Sequence, residues 1–191
     1  MPATLVSIHG TDFGLDVARN PVSKERPLGK MIYANAAASA LITNTTAETA
    51  FDNFATIKAN TLFPGSVLKI KWQGITPATN STDTLQVKVY YGGTTGTLLF
   101  AHNVTDVADN NVFNGQYDLI FRTVGATGTM VGWGHGKAAP AAEGTITPKD
   151  DILASTAVDT TVDKDIVVSA TWSVASASNT VRLDFLTVEQ W

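Results

Sequence analysis

Directly after the Pro64-Gly65 turn the chain runs Ser-Val-Leu-Lys-Ile-Lys-Trp, so that Leu68, Ile70 and Trp72 alternate with Lys69 and Lys71. A period of two puts the apolar side chains on one face and the lysines on the other, as in a half-buried strand. Residues 84–90 repeat the pattern, with Leu85, Val87 and Val89 set against Gln86, Lys88 and Tyr90. Tyr91-Gly92-Gly93-Thr94-Thr95-Gly96 then turns the chain into residues 97–102, a hairpin with a longer loop. Further strands are predicted at 117–124, 129–134, 165–173 and 180–189. In the last of these, Val181, Leu183 and Phe185 alternate with Arg182, Asp184 and Leu186. Residues 50–58 fit a strand or a helix, because Phe51, Phe54 and Ile57 also recur at helical spacing. Short strands at regular intervals, with no strong amphipathic helix, predict an all-β chain folded as a jelly-roll-like β-sandwich.

Composition supports that class. Threonine makes up roughly one residue in seven, and Thr and Val favour strands while Asn and Gly favour the turns between them. The 191 residues suffice for one core without disulfides, and there is no cysteine for disulfides, thiol catalysis or cysteine zinc sites. Only 16% of residues are charged, with a net charge of -4. Without a basic block, neither nucleic acid nor an anionic membrane is an expected partner. No apolar run reaches the length of a membrane-spanning helix, and the first residues lack the pattern of a secretory signal, so the mature chain is expected to start near Met1.

Residues 1–35 read differently from the rest. They hold Pro2, Pro21 and Pro27 and the charged group Lys24, Glu25, Arg26 and Lys30. Proline removes a ladder donor and extends the residue before it, so this stretch is expected to form an extended N-terminal arm with at most a short hairpin. Residues 36–191 are expected to form the sandwich domain. Residues 137–164 lack a clear pattern and read as a long loop with one short strand near 144–147, a length typical of functional or partner-contacting loops.

No catalytic constellation emerges. His9, His102 and His135 are far apart and read as surface or turn residues, not as a metal cluster, and no cofactor is expected. Gly132-Trp133-Gly134-His135-Gly136-Lys137 lacks the first glycine and the Ser or Thr of a phosphate loop; close approach of chains explains its glycines better. The Asx-rich run from Asp106 to Asn111 does not have the alternate-residue ligand spacing of a calcium loop and reads as a turn. Asp150 and Asp151 are adjacent and face opposite ways in an extended segment, so they cannot form the facing pair of a glycosidase. No Gly-x-Ser-x-Gly elbow is present. Trp72 and Trp172 lie in alternating strands and read as core. Trp133 and Trp191 are freer, and are the candidates for a glycan-stacking or interface surface.

Several stretches, taken together, resemble the jelly-roll structural proteins of tailed bacteriophage virions. They are residues 7–16 around His9-Gly10-Thr11-Asp12, residues 58–70 around Phe63-Pro64-Gly65-Ser66, residues 80–85 leading to Tyr91-Gly92-Gly93, residues 122–129, and residues 170–183. The resemblance implies a non-enzymatic virion protein on the outer capsid surface, a decoration or cement protein that bridges capsid subunits. It further implies the major capsid protein and further copies of the chain, as a homotrimer, as partners. On this reading Arg19, Lys24, Arg26 and Lys30 are the candidates for charge-assisted contacts to an acidic capsid surface. A second reading is a head-fibre or tail-associated protein that binds host-surface glycan through Trp133, Trp191 and the 137–164 loop.

Overall fold

Three sheets account for the regular structure in a computed structural model, which describes residues 6–8, 11–15, 21–23, 29–80, 82–141 and 148–191. Strands β1 (Val6–Ile8), β2 (Thr11–Leu15) and β3 (Pro21–Ser23) form a small antiparallel sheet in which Phe13 lies between Val6 and Ser23. The expected arm thus carries a three-stranded meander where a single short hairpin was expected. Its end, β4 (Lys30–Ala34), is an edge strand of the body, paired with the last strand of the chain.

The body is the predicted two-sheet jelly-roll-like sandwich. Its remaining strands are β5 (Ile42–Thr43), β6 (Thr49–Ile57), β7 (Val67–Ala78), β8 (Thr84–Tyr91), β9 (Thr97–Ala101), β10 (Thr105–Asp106), β11 (Asn111–Thr123), β12 (Gly128–Ala138), β13 (Lys149–Val158), β14 (Lys164–Trp172) and β15 (Thr180–Gln190). The large sheet runs β13-β12-β11-β7-β15-β4, with β5 beside β4 on the same edge of β15. The small sheet runs β10-β8-β14-β6, with β9 sharing the β10 edge of β8. All the pairings are antiparallel. Alternation sends Leu68, Ile70 and Trp72 of β7 and Leu85, Val87 and Val89 of β8 into one core, where they meet Trp172, Phe121 and Val168.

The Phe51/Phe54/Ile57 ambiguity resolves as a strand. Ordinary alternation puts Phe51, Ala55 and Ile57 inward and leaves Phe54 outside; the irregularity between Val167 and Ser169, an even insertion in β6, does not change this phase. In β15 the expected phase holds only as far as Leu183. A bulge between Leu183 and Phe185 then reverses it, so Leu186 and Val188 are buried and Phe185 is exposed. Residues 137–164 also differ from the expected long loop, for they contain the end of β12 and the ten residues of β13. Strand β13 has one backbone partner and offers little apolar side chain to the core, so it has no clear period to read. The short strand expected near 144–147 lies outside the described residues.

The glycines of β12 have a packing role. A Cβ on Gly132 or Gly134 would fall 2.4 or 2.2 Å from the Tyr117 ring, and one on Gly115 would fall 2.2 Å from the ring of Trp72. Aromatic rings on one strand therefore lie flat on glycines of the next, which brings β7, β11 and β12 close under the core. The same alternation turns Trp133 and His135 away from the core.

Candidate functional site: the outer face of the large sheet

Strand register assembles a surface on the outside of the large sheet. Trp191 exchanges backbone hydrogen bonds with Val67, 2.9 Å each way; Val67 lies opposite Ile120, and Ile120 opposite Val131. At Val131 the β12–β13 ladder bulges, and two residues along β12 Trp133 pairs with Ile152, so the row steps sideways here. The result is an apolar row across five strands, about 20 Å wide at the usual strand spacing. Exposure is 39% at Trp191, 39% at Ile120, 45% at Trp133 and 79% at Ile152. These are large apolar side chains in solvent, and together they form a contiguous patch of the kind that marks interaction surfaces.

Alongside runs a charged row. Asp118 lies between Trp133 and Lys69, and Lys69 lies between Asp118 and Glu189. The Lys69 ammonium sits over the Trp191 ring, 4.4 Å from its centroid, and the indole N–H donates to Glu189 Oε2 at 3.1 Å. Gly29, just before β4, lies so near that a Cβ there would be 2.3 Å from the same ring. Trp191 is therefore held in place, with little free ring face, while Trp133 is 45% exposed with His135 beside it, ring centroids 5.4 Å apart. The structure thus brings the two sequence candidates onto one face, Trp191 at one end of the apolar row and Trp133 two residues along β12 from Val131, in line with Asp118 and Lys69. Ile120, Val131 and Ile152 complete that row. Ile152 lay in the stretch expected to be loop, and only the β12–β13 register reveals its place.

A second apolar row crosses the outside of the small sheet. Phe54 pairs with Val167, Val167 with Tyr90 and Tyr90 with Leu98. Phe54 and Leu98 are exposed, and Val167 and Tyr90 fill the ground between them. Beside it the Ser169 hydroxyl donates to Glu48 Oε1 at 2.7 Å and Lys88 Nζ donates to Glu48 Oε2 at 2.8 Å. Burial works against the Glu48 charge, but these bonds, with one to Tyr90, outweigh it and hold the carboxyl below its ordinary range. Ser169 is completely buried, so this trio ties β14 and β8 to the residue before β6 and presents no open nucleophile.

The other sequence candidates are scattered. Lys30 is exposed at the start of β4, opposite Gln190; Arg19, Lys24, Arg26 and His9 lie outside the described residues. His102 is buried instead of lying at the surface, and its Nε2 accepts the Trp72 indole N–H at 3.1 Å. In the Asx-rich loop, Asp109 accepts from the backbone N–H of Thr79 at 2.7 Å, and Asn110 has φ of 63°, the conformation expected of a turn asparagine. Asp151 accepts from the Ala101 N–H at 2.9 Å, whereas Asp150 lies opposite His135 on the other face. Among the described residues no three His, Asp or Glu side chains converge as metal ligands, and no helix is long and apolar enough to cross a membrane.

Comparison with protein families finds no matching family, and no curated protein matches. The solved structures that are similar include two of one virus. "Structure of infectious bursal disease virus Gx strain" matches at 12% identity and a TM-score of 0.39, and "Structure of infectious bursal disease virus Gt strain" at 15% and 0.34. The chain is covered in full in both, and it spans 36% and 37% of the matched chains. The tailed-bacteriophage assignment is corrected accordingly, because the source of these structures is not a tailed phage.

Proposed function

We propose that the chain is a structural component of a virus particle, lying on the outer capsid surface and bridging capsid subunits through the outer faces of its sandwich. The observation that carries this reading is the apolar row from Trp191 to Ile152, with large side chains in solvent on a sheet whose inner face is already filled. The opposite row from Phe54 to Leu98 supplies a second sticky face, which suits a subunit set between two neighbours. Low charge fits too, since broad packing contacts favour apolar and small polar side chains over desolvated ions. The virion setting is a fold-level analogy, drawn from the jelly-roll-like sandwich that the body forms.

The major capsid protein is the partner of the large-sheet face, and a homotrimer is the form in which the chain attaches. Lys30, at the exposed start of β4, and Arg19, Lys24 and Arg26 before it supply charge-assisted contacts to an acidic capsid surface. Antibody labelling of intact particles tests the placement: label over the outer surface supports it, and label confined to disrupted particles overturns it. Glycan binding through Trp133 is the competing outcome. A glycan-array signal lost in Trp133→Ala would replace the capsid reading for this face.

A further inference from the structure

At the β9 end of the sandwich the two sheets are joined by a polar seam. The peptide of Ala101 is gripped on both sides by β13: Asp151 accepts its N–H at 2.9 Å, and Lys149 Nζ donates to its C=O at 2.7 Å. Lys149 and Asp151 are themselves 3.2 Å apart. The next residue, His102, is inserted between the sheets. Its ring meets Phe100 at 4.9 Å and Phe113 and Trp72 at 6.1 Å, each nearly edge-on, and Gly136 leaves room for it where a Cβ would lie 2.9 Å from Cε1. Because Nε2 accepts the Trp72 N–H, the imidazole is neutral with its proton on Nδ1.

We propose that His102, with the Lys149–Asp151 grip on Ala101, forms an acid-opened seam between the two sheets. A proton on Nε2 would point N–H at N–H across 3.1 Å, so the charged ring must leave Trp72, and β9 and β13 part as it does. The groups facing His102 do little to offset that charge. Lys149 of β13 opposes it; Asp151 of β13 favours it but is engaged with Ala101 and Lys149. Lys137 of β12 and Asp106 of β10 line the open depression beside the ring, one of each sign, while β7, β8 and β11 present Trp72, Gln86 and Phe113. That depression gives water and protons a route to the ring. Burial first, and then Lys149, hold the His102 pKa down to about 4, so the seam stays shut at neutral pH.

Hydrogen exchange on the full chain between pH 7 and pH 3.5 tests the proposal, read as protection factors. Amides of β9 and β13 should lose protection by up to about tenfold per pH unit as acid is added, ahead of those in β7 and β14. His102→Gln, whose amide oxygen keeps an acceptor for Trp72 but cannot titrate, should abolish this early loss. Loss in His102→Gln at the same pH as in the parent chain overturns the proposal. A proton NMR titration of the parent chain provides a reading that does not depend on the variant folding. The Trp72 indole N–H resonance should shift together with the His102 ring, and a Trp72 resonance that ignores His102 titration overturns the proposal as well.

Discussion

The ring of Tyr117 fills the space that a side chain would need at Gly134, with a Cβ there only 2.2 Å from Tyr117 Cδ2. Tyr117 is completely buried, so the ring cannot swing out to make room. Gly134→Ala must move β11 or β12, and is expected to cost about 1–3 kcal/mol as overpacking. Gly65, at φ of 93° with nothing within 4 Å of its would-be Cβ, provides the contrast: Gly65→Ala carries backbone strain alone, about 1 kcal/mol. Urea denaturation of both variants checks the order, with the larger drop expected at Gly134.

Stability should depend on pH through His102. Its pKa is lowered from 6.5 to about 4 in the folded chain, by burial and then by Lys149, against a smaller opposing effect of Asp151. Between those values the unfolded chain binds a proton that the folded chain refuses. The contribution is therefore complete above pH 6.5 and is lost as pH falls to about 4, by about 3 kcal/mol in all. Urea midpoints at pH 7, 5.5 and 4 should decline in the parent chain and decline less in His102→Gln.

The Trp72–His102 hydrogen bond joins β7 to the residue after β9 within the core. Trp72→Phe leaves His102 Nε2 buried without its donor as well as removing ring volume, so a loss of at least about 3 kcal/mol is expected. A double-mutant cycle with His102→Phe should show coupling, because replacing both partners removes the orphaned acceptor. Additive losses, measured by denaturation, would mean that the bond contributes nothing beyond packing.

Strands with one wet and one dry face were readable from sequence, because alternation in β7 and β8 follows directly from burial on one side. Three features were hidden for identifiable reasons. β13 is an edge strand held by backbone pairing to β12, and Ala154, Ser155, Thr156 and Ala157 carry no apolar period. The bulge in β15 reverses the phase after Leu183, so Phe185 was assigned to the wrong face. In β6 an apolar residue on the outer face, Phe54, stands between the inward Phe51 and Ile57, so the three mimic a helical spacing. The candidate surface was legible only at its two tryptophans. Trp133 stood out because glycines flank it and Trp191 because it follows the last strand, but linking them through Val67, Ile120 and Val131 requires the register of four strands.

Exposed side chains of the row should matter little to the fold. Ile152 is 79% exposed on an edge strand, so Ile152→Lys is expected to change stability by no more than about 0.5 kcal/mol. A thermal melt checks this, and it establishes that the variant is suitable for binding experiments.

Co-sedimentation of purified chain with particles stripped of it, comparing the parent with Ile152→Lys, tests attachment through the large-sheet face most directly. The parent should pellet with the particles, and Ile152→Lys, folded and with an unchanged melt, should stay in the supernatant. Equal pelleting of the two would contradict the assignment of this face as the capsid contact.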